Sequence, residues 1–167
     1  CDACDAGKYS DLGATSCSTC PAGTADLDTD PSTPCEACAA GDYAAAGATS
    51  CVSCPSGEMD HDSDASTPCT ACSVGQYSTA RATSCETCRR GSADLDTNPG
   101  TPCTPCQSGS FSDMGATSCS VCQAGTADED SSAETACVPC PPGTHSASGQ
   151  QVCTQCVPGK ADTDSDP

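Results

Sequence analysis

Cysteine is the residue whose spacing could do the most chemistry in this sequence. The chain contains 20 Cys in ten C-x-x-C pairs, whose intervals alternate between 16 and 18 residues. Such sulfurs can bind zinc as thiolates or oxidise to disulfides, and the spacing C-x2-C-x12-C-x2-C is close to that of zinc ribbons. Because the chain is acidic and has only 5 Lys and Arg, we favour disulfides over zinc and over thioredoxin-like redox chemistry.

Two disulfide schemes fit this spacing. Loop closing joins the second Cys of one pair to the first Cys of the next pair, whereas interlacing joins Cys1 to Cys17 and Cys4 to Cys20. We favour loop closing because a continuous array leaves each end open, and interlacing is the alternative. The predicted disulfide cysteines are Cys4, Cys17, Cys20, Cys35, Cys38, Cys51, Cys54, Cys69, Cys72, Cys85, Cys88, Cys103, Cys106, Cys119, Cys122, Cys137, Cys140 and Cys153.

Aspartate forms the second regular pattern, at positions 1, 3 and 5 of a short segment that recurs every 34 residues. Oxygen ligands at these positions open calcium loops, because Ca²⁺ takes six to eight hard oxygens. Clustered carboxylates also repel each other without a cation. We predict about one weak Ca²⁺ site per repeat, with a Kd of about 10⁻⁴ to 10⁻³ M, and solvated acidic turns are the alternative. The predicted ligands are Asp26, Asp28, Asp30, Asp60, Asp62, Asp64, Asp94, Asp96, Asn98, Asp128, Asp130, Asp162, Asp164 and Asp166.

Both patterns follow one tandem repeat of 34 residues, made of a 16-residue half and an 18-residue half. Fixed-period repetition predicts an array in which each unit contacts mainly its neighbours. The predicted repeats are 1–34, 35–68, 69–102, 103–136 and a truncated fifth, 137–167.

Two further positions keep the register of the repeat. Gly recurs three residues after the second Cys of each pair, as at Gly7 and Gly23, which indicates a backbone angle or a close approach that a side chain would obstruct. One ring follows in each copy, and we expect it to pack over a disulfide or a neighbouring repeat, with a recognition ladder as the alternative. The rings are Tyr9, Tyr43, Tyr77, Phe111 and His145.

The composition excludes an ordinary core. Leu, Ile, Val and Phe together number ten, while 15 Gly and 13 Pro interrupt any helical period. We therefore predict a small disulfide-rich repeat array, an elongated ladder of short β-hairpins, turns and loops with almost no helix and no conventional hydrophobic core.

The charge and the remaining motifs reduce the number of possible functions. A net charge of −18 argues against nucleic acid and anionic lipid as partners, and no apolar run is long enough for a membrane span. The chain begins at Cys1 without Met or a signal peptide, so we interpret it as a processed product or an excerpt. His61 and His145 stand in no catalytic motif, and we predict that the chain is not an enzyme.

The segment CDACDAGKYSDLGATSCSTCPAGT resembles the cysteine-rich repeats of ephrin-receptor-like and tumour-necrosis-factor-receptor-like ectodomains, whose pattern is C-x-x-C-x-x-G-x-[YF]-S followed by G-A-x-x-C-x-x-C. The resemblance covers every short half-repeat and fades in the fifth, and it implies an elongated ladder of disulfide-clasped loops. The acidic segments are similar to thrombospondin-type and EF-hand-type calcium loops, but they lack the EF-hand Gly at position 6 and Glu at position 12.

Together these patterns predict a secreted structural protein. We expect a disulfide-cross-linked and calcium-stiffened stalk, spacer or filament subunit of a surface appendage or matrix, which self-associates end to end or laterally into a polymer. The alternative is a ligand-binding or adhesive receptor-like ectodomain. Ser and Thr make up 43 of the 167 residues and often precede Pro, as in Thr33-Pro34, a composition that suits O-glycosylation.

Overall fold

The computed structural model describes residues 2–160 of the 167-residue chain. This part of the chain contains 18 strands of two residues each and no helix. The strands are β1 Lys8–Tyr9, β2 Ser18–Thr19, β3 Thr24–Ala25, β4 Glu36–Ala37, β5 Asp42–Tyr43, β6 Val52–Ser53, β7 Glu58–Met59, β8 Thr70–Ala71, β9 Gln76–Tyr77, β10 Glu86–Thr87, β11 Ser92–Ala93, β12 Thr104–Pro105, β13 Ser110–Phe111, β14 Ser120–Val121, β15 Thr126–Ala127, β16 Val138–Pro139, β17 Thr144–His145 and β18 Thr154–Gln155.

Each odd-numbered strand pairs with the strand that follows it, so the described chain is a succession of hairpins. In the first hairpin Lys8 lies opposite Thr19, and the Cys20 N–H donates to the Gly7 carbonyl oxygen at 2.9 Å. Hairpins this short are not stable in water by themselves. Cross-links and contacts with neighbouring loops must therefore hold them.

Nine disulfides within residues 2–160 supply the cross-links, and each joins the second Cys of one pair to the first Cys of the next. This is the loop-closing scheme and not the interlaced one. The bonds that close the short loops are Cys4–Cys17, Cys38–Cys51, Cys72–Cys85, Cys106–Cys119 and Cys140–Cys153. Those that close the long loops are Cys20–Cys35, Cys54–Cys69, Cys88–Cys103 and Cys122–Cys137. Sulfurs bonded to each other are not thiolates, so these cysteines do not form zinc-ribbon sites.

Cysteine takes the place of a hydrophobic core in the described residues. The largest side chains that are fully buried are Cys20, Cys54, Cys88 and Cys122, and the other buried apolar residues are Ala25, Ala44, Ala93, Ala127 and Cys140. Large aliphatic side chains lie outside, and Leu12, Leu27 and Leu95 are all exposed. The predicted disulfide-rich repeat array without a conventional core is confirmed.

The repeated glycines occupy the backbone conformation that their register predicts. Gly7 has φ of 77°, and a Cβ at this position would collide with the carbonyl group of Gly47 in the next short loop. The equivalent residues also have positive φ, namely Gly23, Gly41, Gly57, Gly75, Gly91, Gly109, Gly125, Gly143 and Gly159. Both reasons given for the glycines, the backbone angle and the close approach, hold at Gly7.

The described chain divides into two compact units. The first comprises residues 2–72, 77–86 and 99–101, and the second comprises 73–76, 87–98 and 102–160. The five repeat boundaries remain a prediction from the sequence period. Within residues 2–160, no helix is long and apolar enough to cross a membrane.

Candidate functional site

The first aspartate of each of the four described acidic segments is buried and fixes the preceding short loop. Asp26 is 7% exposed, and its Oδ2 accepts a hydrogen bond from the Gly7 N–H at 3.0 Å. The same bond, 19 residues apart in sequence, joins Asp60 to Gly41, Asp94 to Gly75 and Asp128 to Gly109. A buried N–H without an acceptor costs about 1–3 kcal/mol. Position 1 therefore has a structural function in every described copy.

The aspartate at position 3 closes a turn inside the long loop. Asp28 Oδ1 accepts the Asp30 N–H at 3.0 Å, and the Thr33 hydroxyl donates to Asp28 Oδ2 at 2.9 Å. Asp62 has the same partners in the second copy, the Asp64 N–H and the Thr67 hydroxyl. Aspartate forms this type of turn readily because its short side chain reaches the N–H two residues ahead.

The residue at position 5 forms the same type of turn, because its side chain also accepts the N–H two residues ahead. Asp30 Oδ1 accepts the Ser32 N–H at 2.9 Å and the Ser32 hydroxyl at 2.7 Å, while Asp64 Oδ1 accepts the Ser66 N–H at 2.9 Å. In the fourth copy Ser132 replaces the aspartate, and its hydroxyl accepts the Glu134 N–H at 3.4 Å. The acidic segments are thus ordered by hydrogen bonds within the loop.

Hydrogen bonds also lower the pKa of these exposed carboxyls. The largest cause for Asp28 is the Asp30 backbone N–H, followed by the Thr33 hydroxyl. For Asp30 the largest cause is the Ser32 hydroxyl, followed by the Ser32 N–H. The pKa values of Asp62, Asp64 and Asp130 are lowered in the same way. Because each pKa falls below its ordinary 3.8, these bonds stabilise the long loops above that pH, and their contribution is lost as the pH falls through the lowered values.

The residue between positions 3 and 5 adopts a left-handed backbone conformation without being glycine. Thr29 has φ of 58°, and the equivalent residues are Ser63, Thr97 and Ser131, with φ of 58°, 55° and 55°. This conformation costs roughly 1–2 kcal/mol for a residue with a Cβ. The hydrogen bonds to the flanking carboxylates offset that cost, since they exist only with the chain turned in this way.

These contacts give the repeated aspartates a role that sequence reasoning missed. Within residues 2–160, no three His, Cys, Asp or Glu side chains are grouped so that they could hold one metal ion. The fifth triplet, Asp162, Asp164 and Asp166, lies outside the described residues. Calcium binding therefore stays a prediction. The sequence holds no signal for the buried bond, because any two positions of a strict repeat keep a constant spacing.

One pair of side chains departs from the repeat. Arg81 has φ of 63° at a register where the other copies carry Gly13, Gly47, Gly115 and Gly149. Its Nη2 donates to Asp42 Oδ2 at 2.6 Å, and the Asp42 side chain is 10% exposed, with no hydrogen-bond partner for its Oδ1. An unpaired buried carboxylate is costly. Arg81 therefore neutralises a buried charge that only the second copy carries at this register.

Replacing both members of this pair should be nearly neutral, whereas replacing one should not. Arg81→Gly relieves the strained backbone but leaves Asp42 unpaired, so we expect a loss of about 1–3 kcal/mol in local stability. The double variant D42S/R81G reproduces Ser110 and Gly149, which hold the same two registers further along the chain, and it should regain most of the loss. Amide hydrogen exchange of the short loops 38–51 and 72–85 measures both effects. Equal stability of the single and double variants would contradict the pairing.

The rings and histidines do not form a recognisable reactive site. Tyr9, Tyr43, Tyr77 and Phe111 are half-buried and His145 is exposed, and the Tyr77 hydroxyl donates to Glu86 at 2.7 Å. Packing over the disulfides and a recognition ladder both remain predictions for these rings. His61 is exposed, with Nδ1 at 3.2 Å from the Thr70 hydroxyl oxygen. That the chain is not an enzyme likewise stays a prediction.

No known family model matches the chain, and no curated protein matches it significantly. The resemblance to ephrin-receptor-like and tumour-necrosis-factor-receptor-like repeats therefore stays a prediction based on the sequence pattern.

Proposed function

We propose that the chain is a structural extracellular repeat protein, a disulfide-cross-linked stalk, spacer or filament subunit of a surface appendage or matrix. The observation that carries the proposal is a set of hydrogen bonds between successive loops that recurs at the period of the repeat. Each loop is closed by its own disulfide, and each is joined to the next by the same atoms at the same register.

Backbone atoms make most of these bonds. The Ser10 N–H donates to the Pro31 carbonyl oxygen at 2.9 Å, which joins the first short loop to the first long loop. The Gly23 N–H donates to Ala44 at 2.8 Å, which joins that long loop to the second short loop. Equivalent bonds recur, including Ala44 to Ala65, Gly57 to Ser78, Ser78 to Pro99, Gly91 to Ser112, Ser112 to Ala133 and Gly125 to Ser146.

Contacts of this kind suit a spacer for a physical reason. They need no particular side chain, so every added copy can make the same bonds to the copy before it. The length of such an array is set by the number of its repeats. A binding surface, in contrast, concentrates its affinity in a few specialised side chains, typically Trp, Tyr and Arg. Here the copies differ little, and the guanidinium of Arg81 is already bound by the Asp42 carboxylate.

The proposed location follows from the cross-links. Nine disulfides in the described residues are typical of a protein that matures in an oxidising compartment. The net charge of −18 keeps such an array soluble and limits unspecific association. Self-association into a polymer, end to end or laterally, belongs to this proposal.

Immunogold electron microscopy of the source cells, with an antibody raised against the folded chain, tests the proposal. We expect label along an extracellular appendage, wall or matrix, and we expect the same material to release the chain after reduction. Label confined to the cytosol would overturn the proposal. Label in discrete patches at the cell surface, together with saturable capture of a soluble ligand, would favour the receptor-like alternative.

We also propose that the long loops bind calcium, about one ion per repeat. The support is an exposed carboxylate at position 3 of every described copy, joined by a second at position 5 in the first two copies, together with the large negative charge of the chain. When bound, Ca²⁺ would supply a hard cation to these oxygens and restrict the loop. The chain's own hydrogen bonds do part of this ordering already.

Calcium removal tests this second proposal without touching the disulfides. We expect chelation to raise the rate of proteolysis within the long loops, and we expect titration with CaCl₂ to give a Kd of about 10⁻⁴ to 10⁻³ M. The variant D62N/D64N should lose one site, while the buried Asp60 keeps its bond to Gly41. Unchanged proteolysis, with no calcium found by elemental analysis of the native material, would contradict the proposal.

A further inference from the structure

A Thr-Ser pair stands at one register in four of the five copies, directly before the second cysteine of the short loop. All eight residues are exposed, and none of their hydroxyls makes a hydrogen bond in the described structure. The pairs are Thr15-Ser16, Thr49-Ser50, Thr83-Ser84 and Thr117-Ser118. In the fifth copy Gln151 and Val152 take these positions.

Several other hydroxyls that recur with the repeat have partners. Two threonines that precede proline in the long loops donate to carboxylates, Thr33 to Asp28 at 2.9 Å and Thr67 to Asp62 at 3.0 Å. A set of short-loop serines donates to backbone carbonyl oxygens of the preceding long loop, and these are Ser78, Ser112 and Ser146. The Thr-Ser pairs therefore recur without an internal bond that would account for them.

The backbone on either side of three of the four pairs is held in place. The Ala48 carbonyl oxygen, directly before Thr49, accepts the Asp26 N–H at 3.0 Å, and Cys51, directly after Ser50, is in a disulfide. The same bond joins Asp60 to Ala82 and Asp94 to Ala116 in the following copies. The hydroxyls are thus presented to solvent on a fixed turn and not on a loose chain.

We infer that these Thr-Ser pairs are the acceptors of O-linked sugars, and that Thr33 and Thr67, whose hydroxyls bind carboxylates, are not. The inference rests on the proposed extracellular function, because it requires a glycosyltransferase of the secretory route. The donor is a sugar activated as a glycosyl phosphate ester. The Oγ attacks the anomeric carbon, the new C–O bond replaces the bond to the phosphate oxygen, the phosphate group leaves, and the hydroxyl proton passes to a base of the transferase.

Charge favours a sugar over a phosphate at these positions. Each phosphate would add about −1.5 to −2 charges at neutral pH to a chain whose net charge is already −18. A neutral sugar adds bulk and hydration without this repulsion. It would also leave the contacts between loops intact, since the Thr-Ser hydroxyls take no part in them.

Mass spectrometry of the native protein, with fragmentation that retains labile groups, tests the inference by locating every modified residue. We expect hexose or N-acetylhexosamine on at least one residue of each Thr-Ser pair, and unmodified Thr33 and Thr67. Bare pairs in an extracellular chain would overturn the inference and leave the proposed function standing. Sugars confined to Thr33 and Thr67, or phosphate on the pairs, would also overturn it. A cytosolic chain with reduced cysteines would overturn the proposed function itself.

A pair of variants of the full chain, secreted from a host that glycosylates the native protein, provides the matched control. T83A/S84A should lose the sugar of the third copy alone, without a change in amide exchange elsewhere. Thr67→Ala should keep every sugar but loosen the long loop 54–69, because it removes the hydroxyl that binds Asp62. Loss of a sugar in Thr67→Ala, with every sugar kept in T83A/S84A, would contradict the assignment.

Discussion

Replacing Cys54 and Cys69 by alanine is expected to cost about 2–5 kcal/mol, the usual loss when a native disulfide is removed from a small secreted domain. Cys54 is fully buried, its N–H donates to Gly41 at 2.9 Å, and its carbonyl oxygen accepts the Arg81 N–H at 2.8 Å. The variant therefore loses a cross-link and, with it, the anchor for both adjacent short loops. Peptide-resolved hydrogen exchange should show lost protection in loops 38–51, 54–69 and 72–85.

The matched control is the alanine variant of the disulfide between Cys38 and Cys51, in which both cysteines are half-buried. The Cys38–Cys51 bond closes a loop of similar length to that of the Cys54–Cys69 bond, so removing either bond should cost nearly the same entropy. The difference in stability between the two variants therefore measures the contribution of the buried Cys54 side chain. Loops several repeats away should keep their protection in both variants, because each unit contacts mainly its neighbours. Unchanged exchange in both variants, or complete loss along the whole described chain, would contradict this account.

The second large effect is expected at Gly7. Replacement by alanine places a Cβ against the Gly47 carbonyl group and forces a residue with a side chain to adopt φ of 77°. The backbone angle alone costs roughly 1–2 kcal/mol, and the collision adds a further cost of about 1–3 kcal/mol. The bond from the Gly7 N–H to Asp26 should weaken as the first short loop shifts.

Gly13 supplies the control within the same loop. It has φ of 82°, but a Cβ there would meet no atom within 4 Å. Gly13→Ala should therefore show only the cost of the backbone angle, and the difference between the two variants isolates the close approach. Denaturant dependence of amide exchange in residues 5–35 measures both. Equal losses would mean that the approach between Gly7 and Gly47 contributes nothing to stability.

Most of the fold could be predicted from spacing alone. The alternation of 16 and 18 residues between cysteine pairs is compatible with few disulfide schemes. Ten large apolar residues are too few to form a hydrophobic core. A glycine that recurs at a fixed register indicates a positive φ or a close approach of the backbone to another group, and Gly7 has both.

The candidate site was harder to predict because the aspartates of one acidic segment look equivalent in sequence and are not equivalent in space. Asp26 is buried against the preceding loop, whereas Asp28 and Asp30 are exposed and bind their own loop. Burial depends on how successive loops dock, and nothing in an alternating acidic pattern encodes that docking. The pair formed by Asp42 and Arg81 was missed for the same reason, since its members lie 39 residues apart.

Hydrogen exchange of the oxidised protein labelled with ¹⁵N-glycine tests most directly whether bonds between successive loops replace a core. The account predicts slow exchange of the amides of Gly7, Gly23, Gly41 and Gly57, which donate to neighbouring loops. It predicts fast exchange of the exposed Gly13 amide. Exchange of the four amides at the rate of Gly13, with all the disulfides intact, would contradict it.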